Sequence, residues 1–192
     1  MTGQKNRFKT TEKLWDLDDK QLKTPKHDAM VLWLMDKDNY INYFDFPKKI
    51  EDVKVTDRNG LDWYTNVCLD KIILKSELPI MSSKTFIAGY ADLAFVGSYL
   101  INDQEAVKPY YYSIYHIVEV KPYIDSFGAV LRQINSYKQF RQNNRKPNEK
   151  DECYYIFTFD NRFDNQFESQ GIKVLHPPED ITIEDIVSMY GV

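Results

Sequence analysis

The chain predicts an α/β domain in which a mixed β-sheet is covered by helices. Three observations carry this expectation. Three strand-like runs follow one another between residues 72 and 120, a helical period opens directly after the third, and short strands and helices then alternate. At 192 residues the length fits one domain, and 43% apolar residues suffice for a sizeable core. Residues 1–22 read as a polar tail with a short helix, and 23–192 as the single domain.

Taken in order, Thr11 to Leu22 forms a short amphipathic piece. Thr24-Pro25 reads as an N-cap followed by proline at the first helical position, and Met30, Val31, Leu34 and Met35 continue a helix that closes near Asp38. Residues 40–64 mix Pro47, Asn59-Gly60 and an alternating Val53/Val55, and yield no clear element. Ile72 to Ile80 is the first strand, MSSKT a turn, Phe86 to Val96 the second strand, and Tyr110 to Val120 the third, rich in aromatic and β-branched residues. Phe127, Val130, Leu131, Ile134 and Tyr137 set a helical period that ends near Asn143. Tyr154 to Phe159 is a strand, Asn161 to Ser169 a short helix stopped at Gly171, and Ile172 to Leu175 a last short strand. Thr182 to Tyr190 closes as a helix with Glu184 and Asp185 in its first turn.

Composition narrows the function. The longest apolar run, Ala29–Met35, is seven residues, against about 20 for a membrane span. The opening MTGQKNRFKTTEK has no apolar segment after its basic residues, so no signal peptide is expected. Cys68 and Cys153 lie far apart, which argues against a disulfide scaffold or zinc-thiolate site and points to a reducing cytoplasm. With 25 basic and 29 acidic residues the net charge is −4, so any nucleic-acid site must be a local basic patch. His27, His116 and His176 lack ligand-like spacing, and no GxSxG, Walker loop or GxGxxG occurs.

The informative stretch runs from Gly89 to Tyr137. Asp92 sits inside the apolar strand GYADLAF, where a carboxylate is costly unless paired or metal-bound. Glu119 and Lys121 share one strand face, with Val120 pointing the other way. If the second and third strands are adjacent, Asp92 lies beside Glu119, and two carboxylates and an ammonium gather at one point. Carboxylate oxygens with a backbone carbonyl and water suit Mg2+ or Mn2+, and such a centre fits metal-assisted phosphodiester hydrolysis. Gln133 and Tyr137, at i and i+4, share one helix face at the edge of the buried surface. Lys138, Arg141, Arg145, Lys146 and Lys150 form a local basic run able to grip a nucleic-acid backbone. Taken singly these signals have bland readings: an edge-strand aspartate, a solvated helix end, and an ExK triplet. With ten Glu and 19 Lys, about one such triplet is expected by chance, so order carries the argument.

The order strand-Asp92, strand-VEVK, helix-QINSY resembles the PD-(D/E)XK nuclease superfamily, in particular its RecB-like branch with a QxxxY motif. Ala91 stands where the motif's proline would be, and the resemblance covers about residues 70–176. It implies a restriction-endonuclease-like core of αβββαβ order and a Mg2+- or Mn2+-dependent deoxyribonuclease. Asp92 and Glu119 would be metal ligands, Val120 would lend its backbone carbonyl, Lys121 would be the catalytic lysine, and Gln133 and Tyr137 would support substrate or water. The branch often adds an acid on the first helix. Asp28 is the nearest candidate, against a reading as a first-turn acid serving the helix dipole, and Glu77 is a weaker rival. The four cysteines of the iron–sulfur members are missing, so no cluster is expected. The implied partner is DNA, with RNA still open, and a homo-oligomer or a targeting protein would supply specificity. The competing function is a catalytically weak or inactive module of the same fold that binds nucleic acid or a protein.

Overall fold

A computed structural model describes residues 25–56, 59–83, 86–101, 110–144 and 149–190. Its helices are α1 (Pro25–Met35), α2 (Lys37–Tyr40), α3 (Phe127–Asn143), α4 (Asp164–Glu168) and α5 (Ile183–Tyr190). Its strands are β1 (Lys49–Thr56), β2 (Asp62–Met81), β3 (Ile87–Ile101), β4 (Tyr110–Val120), β5 (Glu149–Phe157) and β6 (Lys173–Leu175). The strands form one mixed sheet in the order β1-β2-β3-β4-β5-β6. The first four pair antiparallel, whereas β4–β5 and β5–β6 pair parallel, each through a helix crossover. This is the expected α/β sandwich with one strand more, since residues 49–56 form an edge strand that the sequence left unassigned. The helix expected at Thr11 to Leu22 and the Thr24 cap lie outside the described residues.

Side-chain alternation on the central strands builds two cores. Leu93, Phe95, Val118 and Val120 face α1 and α5, while Ala94, Val96, Tyr115 and Ile117 face α3. Helix α1 is buried from His27 to Leu34, as a helix apolar nearly all round must be, and its Trp33 stacks on Phe157 with ring centroids 5.5 Å apart. Helix α3 starts at Ser126, whose hydroxyl accepts the Ala129 N–H, and buries Val130, Ile134 and Tyr137 along one face. The β2–β3 hairpin runs well past these helices, and a third cluster of Val53, Val55, Val67, Tyr99, Ile101 and Tyr112 covers its far end. Gly97 is needed there, because a Cβ would sit 2.8 Å from Tyr99 Cε2 and 2.9 Å from Phe46 Cδ1. On the edge, β1 bulges between Ile50 and Val53, with Asp52 at φ 52°. Among the described residues no helix is long and apolar enough to cross a membrane, and both cysteines are free thiols.

Candidate active site

The β3–β4 ladder ends at the pair Leu93↔Val118. One step beyond it, the register sets Asp92 opposite Glu119. Here the backbone no longer closes on itself, and the Val120 N–H donates to Asp92 Oδ2 at 2.8 Å. Asp92 therefore holds the two strands at the point where they part. Both carboxylates are buried, Asp92 8% and Glu119 2% exposed.

Glu119 lies between Val118 and Val120 and so faces α3. Lys121 Nζ donates to its Oε1, and so does Gln133 Nε2 at 2.7 Å. The Tyr137 hydroxyl lies 3.0 Å from Oε2, 2.8 Å from the Tyr90 carbonyl and 2.6 Å from Gln133 Nε2. Gln133 and Tyr137 thus meet at one carboxylate, which they orient from α3. Burial pushes the Glu119 carboxyl up to about 7, the charge of Asp92 adds to this, and Lys121 only partly offsets it. The Tyr137 phenol is raised well beyond its ordinary range, first by burial and then by the Glu119 charge, and remains protonated.

On the α1 side lies a residue that sequence spacing did not single out. His27 is 5% exposed; its Nδ1 lies 2.9 Å from Asp28 Oδ1, and its Nε2 3.2 Å from Asp92 Oδ2, outside hydrogen-bond geometry. Burial disfavours its charge, but the two carboxylates outweigh burial and raise the imidazole to about 9. Asp92 is held below its ordinary value despite burial, by His27, by Lys121 and by the Val120 N–H. Asp28 is thus buried and turned to His27, and it reaches Asp92 through the imidazole. A signal for this pair does exist. His27-Asp28 interrupts an otherwise apolar helix as oddly as Asp92 interrupts its strand.

The remaining candidates are placed as follows. Glu77 sits on β2 opposite Asp92, between the pairs Ser76↔Leu93 and Leu78↔Ala91, in a left-handed conformation at φ 49°. Such backbone costs about 1–3 kcal/mol in a non-glycine residue. Lys138 Nζ donates to the Gln170 carbonyl at 3.0 Å, and Arg141 pairs with Glu152 at 2.8 Å while stacking over Tyr115. Both cations are engaged within the fold. Arg145 and Lys146 lie outside the described residues, and of Lys150 only the strand backbone is described. His116 is buried on β4, its Nδ1 2.8 Å from the Tyr155 hydroxyl, and burial pulls it down to about 4, so it is a neutral core residue. Beyond the cluster, Asp160 accepts the Ile124 N–H at 3.0 Å and Arg162 Nη2 donates to the Ile124 carbonyl at 3.0 Å, which clamps the turn after Lys121.

No family model, curated protein or solved structure matches this chain. Among the described residues no three His, Cys, Asp or Glu side chains converge on a single ion position. The sequence-based expectation is a donor set of two carboxylates and a backbone carbonyl, with water completing the shell. That composition fits Mg2+ or Mn2+, which keep several waters and use one or two carboxylates. One further feature fits a cation here: a buried Glu119 raised toward neutrality by burial and by the charge of Asp92.

Proposed function

We propose that the chain is a metal-dependent nuclease with a restriction-endonuclease-like core, hydrolysing phosphodiester bonds of DNA. One observation carries the reading. Lys121, Gln133 and Tyr137 meet at buried Glu119 through direct contacts, and buried Asp92, opposite Glu119 in register, accepts the Val120 N–H beside it. A fold needs no such pair for stability, because burying charge costs more than apolar packing would. The strand order, antiparallel into β4 and parallel onward through α3, supports the same reading.

Asp92, Glu119 and the Val120 carbonyl would hold Mg2+ or Mn2+. Bound there, the cation supplies a Lewis acid for the phosphoryl oxygen and lowers the pKa of its water. The chain's own groups do the rest. Lys121 places a positive charge 25% exposed to solvent beside Glu119, where it would stabilise the negative charge that builds on the phosphoryl oxygens during attack. Gln133 and Tyr137 are positioning residues. They fix both oxygens of Glu119 from α3, Gln133 at Oε1 and Tyr137 at Oε2. His27, held by Asp28, sets the position of Asp92 from the other side.

The test uses wild type and Lys121→Ala, Asp92→Ala and Glu119→Ala, each incubated with circular and linear DNA, single- and double-stranded. Reactions contain Mg2+, Mn2+ or EDTA. Metal-dependent cleavage lost in all three variants, with unfolding transitions retained, is expected. No cleavage by wild type with any substrate, or unchanged cleavage in the variants, refutes the reading.

A further inference from the structure

Two exposed aromatic residues flank the cluster along the chain. Tyr90 lies two residues before Asp92 and is 41% exposed; Tyr123 lies two residues after Lys121 and is 53% exposed. Such rings contribute most to a fold when buried, so their exposure beside the cluster needs a reason. Both are also fixed in place. The Tyr90 carbonyl accepts from the Tyr137 hydroxyl, and Tyr123 precedes Ile124, whose N–H and carbonyl are held by Asp160 and Arg162. A ring on a clamped backbone loses little freedom when a partner lies against it. Positive charge accompanies them. Lys26 Nζ stands 5.8 Å from the Tyr123 ring centroid and pairs with exposed Glu184 at 3.1 Å, and Lys121, two residues away, pairs with Glu119. Aromatic faces with ammonium groups match the bases and phosphates of a nucleic-acid strand. In a duplex the base faces are already stacked on one another, so only unpaired nucleotides can offer them.

Resting on the nuclease reading above, we infer that the substrate strand enters unpaired, with bases on either side of the scissile phosphate stacking on Tyr90 and Tyr123. The class of substrate is single-stranded nucleic acid, or the single-stranded part of a branched or frayed one.

The experiment uses the full chain carrying Lys121→Ala, which is expected not to cut, and reads binding by fluorescence anisotropy in Mg2+. The probes are a labelled 12-nucleotide single strand, the same backbone with abasic residues throughout, and the matching duplex. The base-bearing strand is expected to bind about 10-fold or more tighter than the abasic one. Adding Tyr90→Ala and Tyr123→Ala brings that ratio close to one, while Phe at both positions keeps it. Equal affinity for base-bearing and abasic strands, a ratio unmoved by the alanines, tighter binding of the duplex, or no binding of either strand overturns the inference. Wild-type cleavage is scored separately. A base-dependent ratio without cleavage leaves the stacking site standing and removes the nuclease; cleavage without the ratio does the reverse.

Discussion

Glu119→Gln separates what the site costs the fold from what it does. In the folded, metal-free chain the Glu119 carboxyl is raised from 4.5 to about 7 by burial and by Asp92. The folded state therefore holds a proton that the unfolded state releases between these values. Stability falls as pH rises through this window, and the full penalty is present above 7. At about 1.36 kcal/mol per unit the gap is worth about 3 kcal/mol. Glutamine removes the charge, keeps the shape, and can still accept from Gln133. It leaves Lys121 without its carboxylate, but that ammonium is partly solvated and can turn to water. The net expectation in EDTA at pH 8 is a gain of about 1–3 kcal/mol, or about 2–4 °C in Tm per kcal/mol for a chain of this size. Denaturant and thermal melts of both proteins at pH 5 and pH 8 provide the assay. The gap should open with pH, and Mg2+ or Mn2+ should raise the Tm of wild type and leave the variant unmoved. A variant less stable than wild type at pH 8 in EDTA, or a gap independent of pH, would refute the claim that Glu119 is held at a cost.

Further predictions concern the supports of the site. The His27 imidazole is raised from 6.5 to about 9, so its stabilisation is full below 6.5 and is lost as pH rises through 9. His27→Ala should cost about 3 kcal/mol at pH 6 in EDTA and far less at pH 10, read by urea melts; equal costs at both would show that the bridge is not a charged one. Asp160→Ala leaves the Ile124 N–H without its acceptor and should cost about 1–3 kcal/mol. Hydrogen exchange at the Ile124 amide should accelerate, and an amide as protected as in wild type would contradict the clamp. Gly97→Ala forces the Tyr99 and Phe46 rings aside and should cost about 1–3 kcal/mol in a denaturant melt; a neutral result would mean that both rings yield freely.

The parts of the fold legible in the sequence are those where one physical pattern stands alone. Helix α3 has a serine cap and a clean apolar period, and its limits match the expected span from Phe127 to Asn143. Strand β4 is apolar on both faces because helices cover both, and it too runs from Tyr110 to Val120 as expected. Strand β2 begins ten residues earlier than expected, at Asp62. Over residues 62–70 only Val67 is buried, so the run has too little apolar alternation to read as a strand. Edge strand β1 was hidden by its bulge, which shifts the alternation between Ile50 and Val53. In the site, the carboxylates and the QxxxY pair were legible because a charge within an apolar strand is conspicuous. The contacts of His27 were not, since its partner Asp92 lies 65 positions away and only the packing of α1 across the sheet brings them together. Spacing along a chain reports neighbours on one element and carries little about residues that meet across layers.

The bulge at Asp52 has a consequence for how copies of this protein can associate. A sheet with open edges invites another chain to add a strand. Here the β1 edge is kinked by a residue in a left-handed conformation and carries Lys49 and Lys54, and the opposite edge, β6, offers three residues. Among the described residues β2 beyond Cys68 pairs only with β3 and is itself part of the rim, interrupted there by Glu77 at φ 49° and by Pro79. The kinks at Asp52 and Glu77 work against strand-on-strand association along this rim, because each breaks the run of backbone groups that a second chain would pair with.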